Sequence, residues 1–363
     1  MALKVGLVGL PNVGKSTLFN AVSQAGAEAA NFPFCTIDPN VGVVAVPDHR
    51  LQRLGELAES KKVVPTAIEM VDIAGLVEGA SKGEGLGNQF LAHIREVDAI
   101  CHVVRCFVDD DVVHVSGTVD PARDVEIIET ELVLADLDTV ERRVERSKRA
   151  SKSGDRDLVR EAEQAAALRD HLAEGSPART YAGELDPALA RELSLLTAKP
   201  VLYAANVAED ELPDGNEHVD LVTKIAEKQG AEVVVISAQV EAELAELDAE
   251  ERSEYLDSLG LQRSGLERLI ERAYELLGLL TFFTAGPTEA RAWTVRAGSR
   301  APRAAREIHS DMERGFIRAE VISFEDYDQL GSEAAARDAG RLRVEGKDYV
   351  VADGDVLHIR FNV

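Results

Sequence analysis

The sequence predicts an α/β fold, in which a mostly parallel sheet with helices on both faces is followed by a smaller α+β domain. Two observations carry this prediction. Short apolar runs alternate with helical stretches over most of the chain, which is typical of parallel sheets. Near residue 280 the pattern changes to short runs that alternate apolar and polar residues. The length of 363 residues is sufficient for two or three domains.

Five apolar runs are the predicted strands of the first domain. They are Val5–Val8, Ala67–Val71, Ala99–Val104, Val201–Ala205 and Glu232–Ile236. A helix is predicted to begin near Ser16, directly after the first strand, and Gly260–Leu277 is predicted to be the last helix of this domain.

The long interval between the third and fourth predicted strands indicates an insertion. Apolar residues recur at helical spacing over Pro121–Ala150 and again from Leu158 to Leu172, and Ser151–Asp155 has the composition of a turn. We therefore expect an antiparallel α-hairpin over residues 123–198. It interrupts a nucleotide-binding domain formed by residues 1–122 and 199–279.

Residues 280–363 are the predicted α+β domain. Its phenylalanines, valines and Trp293 alternate with polar residues, Ala304–Met312 reads as one helix, and Gly354-Asp355 is a turn before a last strand, Val356–Val363.

The segment from Gly9 to Ser16 reads G-L-P-N-V-G-K-S and matches the phosphate-binding pattern G-x-x-x-x-G-K-[ST] at every fixed position. The glycines permit a tight turn whose N–H groups face phosphate oxygens, and the following helix N-terminus adds partial positive charge. Lys15 is expected to reach the β- and γ-phosphates of a nucleoside triphosphate, and the Ser16 hydroxyl to ligate Mg²⁺. The predicted phosphate-binding residues are Asn12, Val13, Gly14, Lys15, Ser16 and Thr17.

Asp72-Ile73-Ala74-Gly75 follows the second predicted strand and fits the pattern D-x-x-G. Asp72 is expected to hold Mg²⁺ through water, the Gly75 N–H to meet the γ-phosphate, and Thr36 to complete the Mg²⁺ shell. A γ-phosphate would order both segments and its hydrolysis would release them, which is the behaviour of a switch. These elements argue against a small-molecule kinase.

The fourth predicted strand is followed by Asn206-Val207-Ala208-Glu209, where GTPases typically have N-K-x-D. The aspartate of that motif accepts two hydrogen bonds from guanine. Adenine has no 2-amino group, so the replacement of that residue by Glu209 should weaken selectivity for guanine. Ser237 and Ala238, after the next strand, are expected to contact the base through their backbone.

The net charge of −25 makes the chain a poor generic binder of nucleic acid. Two basic clusters stand out, Arg142–Arg160 near the hairpin turn and Arg291–Arg306. Each is either a solvated face or a contact for phosphate. Three cysteines without metal-ligand spacing read as reduced thiols of a cytosolic protein. No apolar run reaches membrane-spanning length, and the first strand leaves no room for a removable signal peptide.

Several motifs together resemble the YchF family of Obg-related P-loop proteins, and the resemblance covers the whole chain. These motifs are G-L-P-N-V-G-K-S-T, F-P-F-C-T-I-D-P-N-V-G, D-I-A-G-L-V-E-G-A, G-E-G-L-G-N-Q-F and N-V-A-E. The resemblance implies an inserted helical hairpin, a C-terminal TGS domain of ubiquitin-like type, preference for ATP over GTP, and association with ribosomes in the cytosol. It also implies that Asn206, Val207 and Glu209 form the adenine pocket, although the family more often has methionine at the position of Val207.

The residue after D-x-x-G is Leu76, where Ras-like proteins have a glutamine that orients water. Leu76 has no polar atom, so other groups must assist hydrolysis. Similarity to related proteins implies that Asn12 helps to bind K⁺ beside the phosphates; alternatively, Asn12 only adopts a turn conformation. The resemblance also implies that His114 takes part, since a neutral histidine can orient or deprotonate water.

The sequence thus predicts a cytosolic, monomeric, Mg²⁺-dependent ATPase that acts as a nucleotide-gated switch on the ribosome, through the hairpin and the TGS domain, and modulates translation or a stress response. Lys15, Gly75 and His114 are the predicted catalytic residues. The alternatives are a conventional GTPase of translation or ribosome assembly, a P-loop kinase, and a stress-regulatory adaptor whose nucleotide only sets conformation.

Overall fold

The computed structural model describes residues 3–28, 40–74, 86–109 and 111–362 of the chain. Its strands, numbered in chain order, are β1 (Lys4–Val8), β2 (Val41–Ala45), β3 (Val63–Val64), β4 (Ala67–Asp72), β5 (Ala99–Arg105), β6 (Val201–Asn206), β7 (Glu232–Ile236), β8 (Leu279–Thr284), β9 (Ala290–Arg296), β10 (Phe316–Ser323), β11 (Arg343–Glu345) and β12 (Asp355–Phe361).

The α-helices are α1 (Lys15–Glu28), α2 (His49–Leu57), α3 (Leu86–Glu96), α4 (Pro121–Ala150), α5 (Arg156–Ala173), α6 (Pro187–Leu193), α7 (Glu217–Gln229), α8 (Ala238–Leu244), α9 (Ala249–Ser258), α10 (Gly265–Leu276), α11 (Ala301–Ile308), α12 (Ser310–Arg314), α13 (Phe324–Leu330) and α14 (Glu333–Asp338). Contacts divide the chain into two units, Met1–Val43 with Glu69–Leu269, and Val44–Ile68 with Ile270–Val363.

The first sheet has the strand order β2-β4-β1-β5-β6-β7. The neighbours β4-β1, β1-β5, β5-β6 and β6-β7 are all parallel. β5 and β6 are buried along their whole length, as expected for central strands covered on both faces. The five strands predicted for this domain are confirmed, each to within one residue at either end. Parallel strands place their carboxyl ends at one edge, where ligands of open α/β sheets bind.

Helices α4 and α5 lie between β5 and β6 in the chain. The side chain of Asp120 caps α4 by accepting a hydrogen bond from the Arg123 N–H, and Pro121 occupies the first turn, where a missing N–H costs nothing. Gly154, in the left-handed conformation, ends the short turn before α5. The two helices pack through a common apolar cluster that includes Val140, Val144, Ala165, Leu168 and Leu172.

The last helix of the first domain is shorter than predicted. The sequence predicts a helix from Gly260, but Gly260 has φ +68° and follows α9, and α10 begins only at Gly265. The Ser264 hydroxyl caps α10 by accepting from the Glu267 N–H at 3.1 Å.

The second sheet has the order β11-β10-β12-β8-β9-β3. The sequence-based boundaries assigned residues 44–68 to the nucleotide-binding domain, whereas here they group with the C-terminal residues. The physical reason is twofold. β3 adds a parallel edge strand to β9, and α2 buries Leu51 and Leu54 in the same core as Phe283, Ile322 and Val356.

The helix predicted over Ala304–Met312 is two helices, because His309 interrupts it. Its backbone is extended (φ −162°, ψ 142°), and its Nδ1 accepts a hydrogen bond from the Asp311 N–H, which caps α12. The first of the two helices also begins earlier than predicted, at Ala301.

Cys101 and Cys106 are buried free thiols, and burial raises the pKa of each to about 12. Both are therefore uncharged at neutral pH; Cys35 lies outside the described residues. Among the helices that the structure describes, none combines the length and apolarity needed to cross a membrane.

Candidate phosphate-binding site

The loop between β1 and α1 depends on glycine at two positions. A Cβ added to Gly9 would lie 2.7 Å from the Val103 carbonyl oxygen of β5. Gly14 has φ +92°, and a Cβ there would collide with Nδ2 of Asn206. The fixed glycines of the motif are thus required by close packing of the loop against two neighbouring strand ends.

The first turn of α1 combines a cation with hydroxyl groups. Lys15 is buried, and its Nζ donates to Oδ1 of Asp72, the last residue of β4. Ser16 and Thr17 are exposed in the same turn, where backbone N–H groups have no intrahelical acceptor. The Asp72 carboxylate and the Ser16 hydroxyl are oxygen donors of the kind that Mg²⁺ prefers, so these residues fit that ion.

Asn206, at the end of β6, uses both ends of its buried amide to brace this site. Nδ2 donates to the Val13 carbonyl of the phosphate-binding loop at 2.9 Å, and Oδ1 accepts from the Ala238 N–H at 2.8 Å. The side chain therefore joins the loop to the first residue of α8. The contact of Asn206 and Ala238 with a base stays a prediction; the described hydrogen bonds of the Asn206 amide are with the protein itself.

Val207 and Glu209 differ in exposure and in their contacts. Val207 is only 2% exposed, and its N–H donates to the Ile236 carbonyl of β7. The exposed Glu209 accepts a hydrogen bond from the Tyr255 hydroxyl at 3.1 Å. The same hydroxyl also lies 2.7 Å from a carboxylate oxygen of Glu243, which is a second acceptor. Burial and these two carboxylates raise the pKa of Tyr255, so it remains a neutral donor.

Ser237 lies directly after the carboxyl end of β7. It precedes α8 and is buried, and its Oγ makes no hydrogen bond within the described ranges. A buried hydroxyl without a partner is costly in a folded protein. The sequence predicts only a backbone contact from Ser237 and Ala238, whereas the burial of the Ser237 hydroxyl adds a further polar group at this site.

Asn12 adopts the turn conformation that was one of its two interpretations, with φ +62°. Its Nδ2 donates to the Val113 carbonyl at 3.0 Å. This bond connects the phosphate-binding loop to the segment that follows β5.

The side chain of His114 is held by the protein on both sides of its ring. It is 6% exposed, its Nδ1 accepts from the Ser116 N–H at 3.1 Å, and its Nε2 lies 2.8 Å from Oδ2 of Asp124 in α4. Because Nδ1 accepts, Nε2 carries the proton and donates to Asp124. In this arrangement His114 has no lone pair free to accept a proton from water.

Arg105 organises the segment that carries His114, and the sequence analysis missed it. It is the last residue of β5, is 1% exposed, and donates to the carbonyls of Phe107, Asp109 and Val112. Its guanidinium also lies 4.5 Å from the centre of the Phe107 ring. The available signal was an arginine at the end of an otherwise apolar strand, since arginine is rarely buried without partners.

Thr36 and Gly75, predicted for the Mg²⁺ shell and the γ-phosphate, lie outside the described residues, as does Leu76.

The two basic clusters differ in their ion pairs. In the Arg291–Arg306 segment, four of five arginines have a carboxylate partner; the pairs are Arg291–Glu289, Arg300–Asp348, Arg303–Glu307 and Arg306–Glu313. Near the α4–α5 turn, Arg142, Arg143 and Arg160 are paired. In the part of the turn region that the structure describes, five exposed cations make no ion pair: Arg146, Lys148, Arg149, Lys152 and Arg156.

Comparisons with known proteins agree with this geometry. A family model described as a 50S ribosome-binding GTPase matches residues 4–153, and a model named YchF-GTPase_C, described as a protein of unknown function, matches residues 279–362. The chain is 58% identical over 366 residues to the ribosome-binding ATPase YchF of Bacillus subtilis and 54% identical over 371 residues to that of Escherichia coli O157:H7. Each match covers all of both chains.

A solved structure, the YchF GTPase of Schizosaccharomyces pombe, superposes with a TM-score of 0.88 at 38% identity, and the match covers 99% of this chain and 97% of that one. The phosphate-binding loop, the strand order around it and the full-length similarity thus lead to one conclusion: the chain belongs to the YchF family.

Proposed function

We propose that the chain is a Mg²⁺-dependent ATPase that works as a nucleotide-gated switch on the ribosome. The observation that carries the proposal is the braced loop, in which Lys15 reaches Asp72 and Asn206 fixes Val13. This places an ammonium, a carboxylate and free helical N–H groups at one edge of the sheet, which suits a triphosphate. Ser16, Asp72 and Thr36 would hold Mg²⁺, which neutralises phosphate charge when bound.

Preference for ATP over GTP is the finer part of the proposal. It is supported by the names of relatives at 54% and 58% identity, which are ATPases, and by the replacement of the guanine-reading aspartate. Calorimetric titration with each nucleotide tests it. We expect ATP to bind at least as tightly as GTP, and a strong preference for GTP would favour the conventional GTPase.

The ribosome is the proposed partner, because the same relatives are named ribosome-binding. The free cations near the α4–α5 turn are suited to phosphate of RNA, whereas most of the Arg291–Arg306 cluster is neutralised locally. We propose the hairpin turn as the main electrostatic contact and the C-terminal domain as a second contact. The order β9-β8-β12-β10-β11 in the second sheet supports the ubiquitin-like (TGS) assignment of that domain.

Co-sedimentation with ribosomes tests the contact. Reversal of the unpaired Arg146 and Arg149 to glutamate should reduce binding more than reversal of the ion-paired Arg300 and Arg303, which makes the same change in charge. Equal effects of the two pairs would overturn the assignment to the hairpin turn.

Gly75 is proposed to meet the γ-phosphate, and K⁺ near Asn12 to offset charge that develops during hydrolysis. Single-turnover hydrolysis of bound ATP in K⁺ and in Na⁺ tests the cation. A faster reaction in K⁺ supports it, and equal rates remove it. We further propose that the protein is cytosolic and monomeric.

A further inference from the structure

The segment after β5 is held between the phosphate-binding loop and the base of the long helix α4. Val113 accepts from Asn12 of the loop, and the next residue, His114, contacts Asp124 of α4. Two consecutive residues therefore connect the loop to the first turns of a 30-residue helix. Arg105 fixes the beginning of the same segment through three backbone carbonyls.

Asp124 is suited to hold a histidine. It is 2% exposed and lies in the fourth position of α4, where the positive end of the helix dipole stabilises a carboxylate. Its Oδ2 accepts a hydrogen bond from Nε2 of His114, and its Oδ1 has no hydrogen bond, with only Arg123 Nη2 at 3.5 Å. Of the two carboxylate oxygens of Asp124, Oδ2 thus makes a hydrogen bond with His114 and Oδ1 makes none.

The rest of α4 is fixed to the first unit by other carboxylates. Asp136 accepts from the N–H groups of Leu196 and Thr197 at 2.8 Å each, and Glu129 accepts from Arg179 and Gln229. The helix is therefore braced beyond its first turns independently of Asp124. The Asp124–His114 contact is not needed to attach α4, which leaves it available for another role.

We propose that Asp124 is a positioning residue that holds His114 in an inactive orientation, so that release of this contact activates hydrolysis. The inference rests on the proposed function. His114 can accept a proton from water only through a ring nitrogen with a free lone pair; here the Ser116 N–H takes the Nδ1 lone pair, and Asp124 fixes the ring in this orientation by accepting from Nε2. A displacement at the base of α4 would free the ring and at the same time affect Asn12 through Val113.

The test compares two isosteric substitutions in the same helix. Asp124→Asn weakens a charge-assisted hydrogen bond to a neutral one, and Asp136→Asn makes the same chemical change at a buried site away from His114. We expect Asp124→Asn to raise the single-turnover rate of ATP hydrolysis without ribosomes by about fivefold. Asp136→Asn should leave it unchanged. An unchanged or lower rate for Asp124→Asn, or equal increases for both variants, would overturn the proposal.

A second experiment tests whether the faster hydrolysis of Asp124→Asn depends on His114. Asp124→Asn should have no effect in a His114→Ala background, because the two residues act as one unit. An equal gain in the His114→Ala background would contradict release of His114.

Hydrogen exchange gives a readout that does not require hydrolysis, and in the wild-type protein it tests the contact without any variant. The N–H groups of Ser116 and Gly117 donate to Nδ1 and to the carbonyl of His114. Both amides should be protected in the wild-type protein, and the protection should fall in Asp124→Asn. Exchange of these amides at unprotected rates in the wild-type protein would overturn the contact itself. Absence of nucleotide hydrolysis in every variant would instead reject the proposed function, and the exchange data would still decide the contact.

Discussion

Replacement of Gly14 by alanine tests the bracing of the phosphate-binding loop most directly. Gly14 has φ +92°, and its new Cβ would collide with Nδ2 of Asn206. Asn206 would have to move, and it would then lose its bonds to Val13 and Ala238. The substitution thus combines backbone strain with the loss of two buried hydrogen bonds.

The expected loss of stability in Gly14→Ala is the sum of the backbone strain and the two lost hydrogen bonds. A non-glycine residue at positive φ costs about 1–2 kcal/mol, and each lost hydrogen bond about 1 kcal/mol. We therefore expect Gly14→Ala to lower the free energy of unfolding by about 3–4 kcal/mol. Gly154→Ala is the matched control, because Gly154 has φ +78° with no atom within 4 Å of the added Cβ, so it should show the strain alone. Urea unfolding of both variants measures the difference of about 2 kcal/mol.

A double-mutant cycle isolates the collision. In an Asn206→Ala background the atom that Gly14→Ala would strike is absent, so the cost of Gly14→Ala should fall to that of Gly154→Ala. Calorimetric titration with ATP should show weaker binding for Gly14→Ala and for Asn206→Ala, by at least about tenfold. If Gly14→Ala and Gly154→Ala destabilise equally, Asn206 does not fix the loop and the reasoning is wrong.

Three further predictions concern Lys15, His102 and the pair Arg146 and Arg149. Lys15→Ala should abolish hydrolysis while circular dichroism shows an intact fold, because the ammonium is proposed to reach the phosphates; near-normal turnover would reject this role. Burial, with a smaller contribution from a nearby arginine, lowers the pKa of His102 to about 3, so the unfolded state binds the extra proton below pH 6.5. Stability should therefore fall by about 2 kcal/mol at this residue from pH 7 to 5, and His102→Phe should remove that loss in urea unfolding at the two pH values; an equal loss in both proteins would contradict it. Ribosome binding of the wild type should weaken as salt rises, and less steeply in the double reversal of Arg146 and Arg149 to glutamate; parallel salt dependences would exclude these residues from the contact.

The strands that position the site could be predicted because they are locally encoded. Runs such as Ala99–Val104 and Val201–Ala205 are continuous, apolar and bounded by polar residues, so hydrophobicity alone locates them. The helix over Pro121–Ala150 is confirmed for the same reason, with a cap and a proline at its start. The break at His309 was missed, because the apolar spacing continues through it and only its backbone conformation separates α11 from α12.

The contacts of the site could not be predicted, because each depends on residues far apart in the chain. The motif identified Lys15, but not Asp72 as its partner, 57 residues away. The motif predicts Asn206 beside the base, but not that its amide joins Val13 to Ala238. Sequence patterns identify which residue types occur after a strand, but the hydrogen bonds that those residues make depend on the tertiary structure.

The two basic clusters show most clearly that sequence patterns do not determine which residues interact. The sequence presents Arg291–Arg306 as a basic cluster without an acidic residue, yet Arg300 pairs with Asp348 and Arg306 with Glu313, both from outside the segment. The cluster at the α4–α5 turn contains acidic residues in its sequence, yet cations such as Arg146 and Arg149 make no ion pair in the described part of that region. A polyanion gains most from cations that need not give up an existing carboxylate partner. In a chain of net charge −25, the proposed contact with RNA is therefore assigned by which cations are unpaired in the fold, not by which segment has the most basic composition.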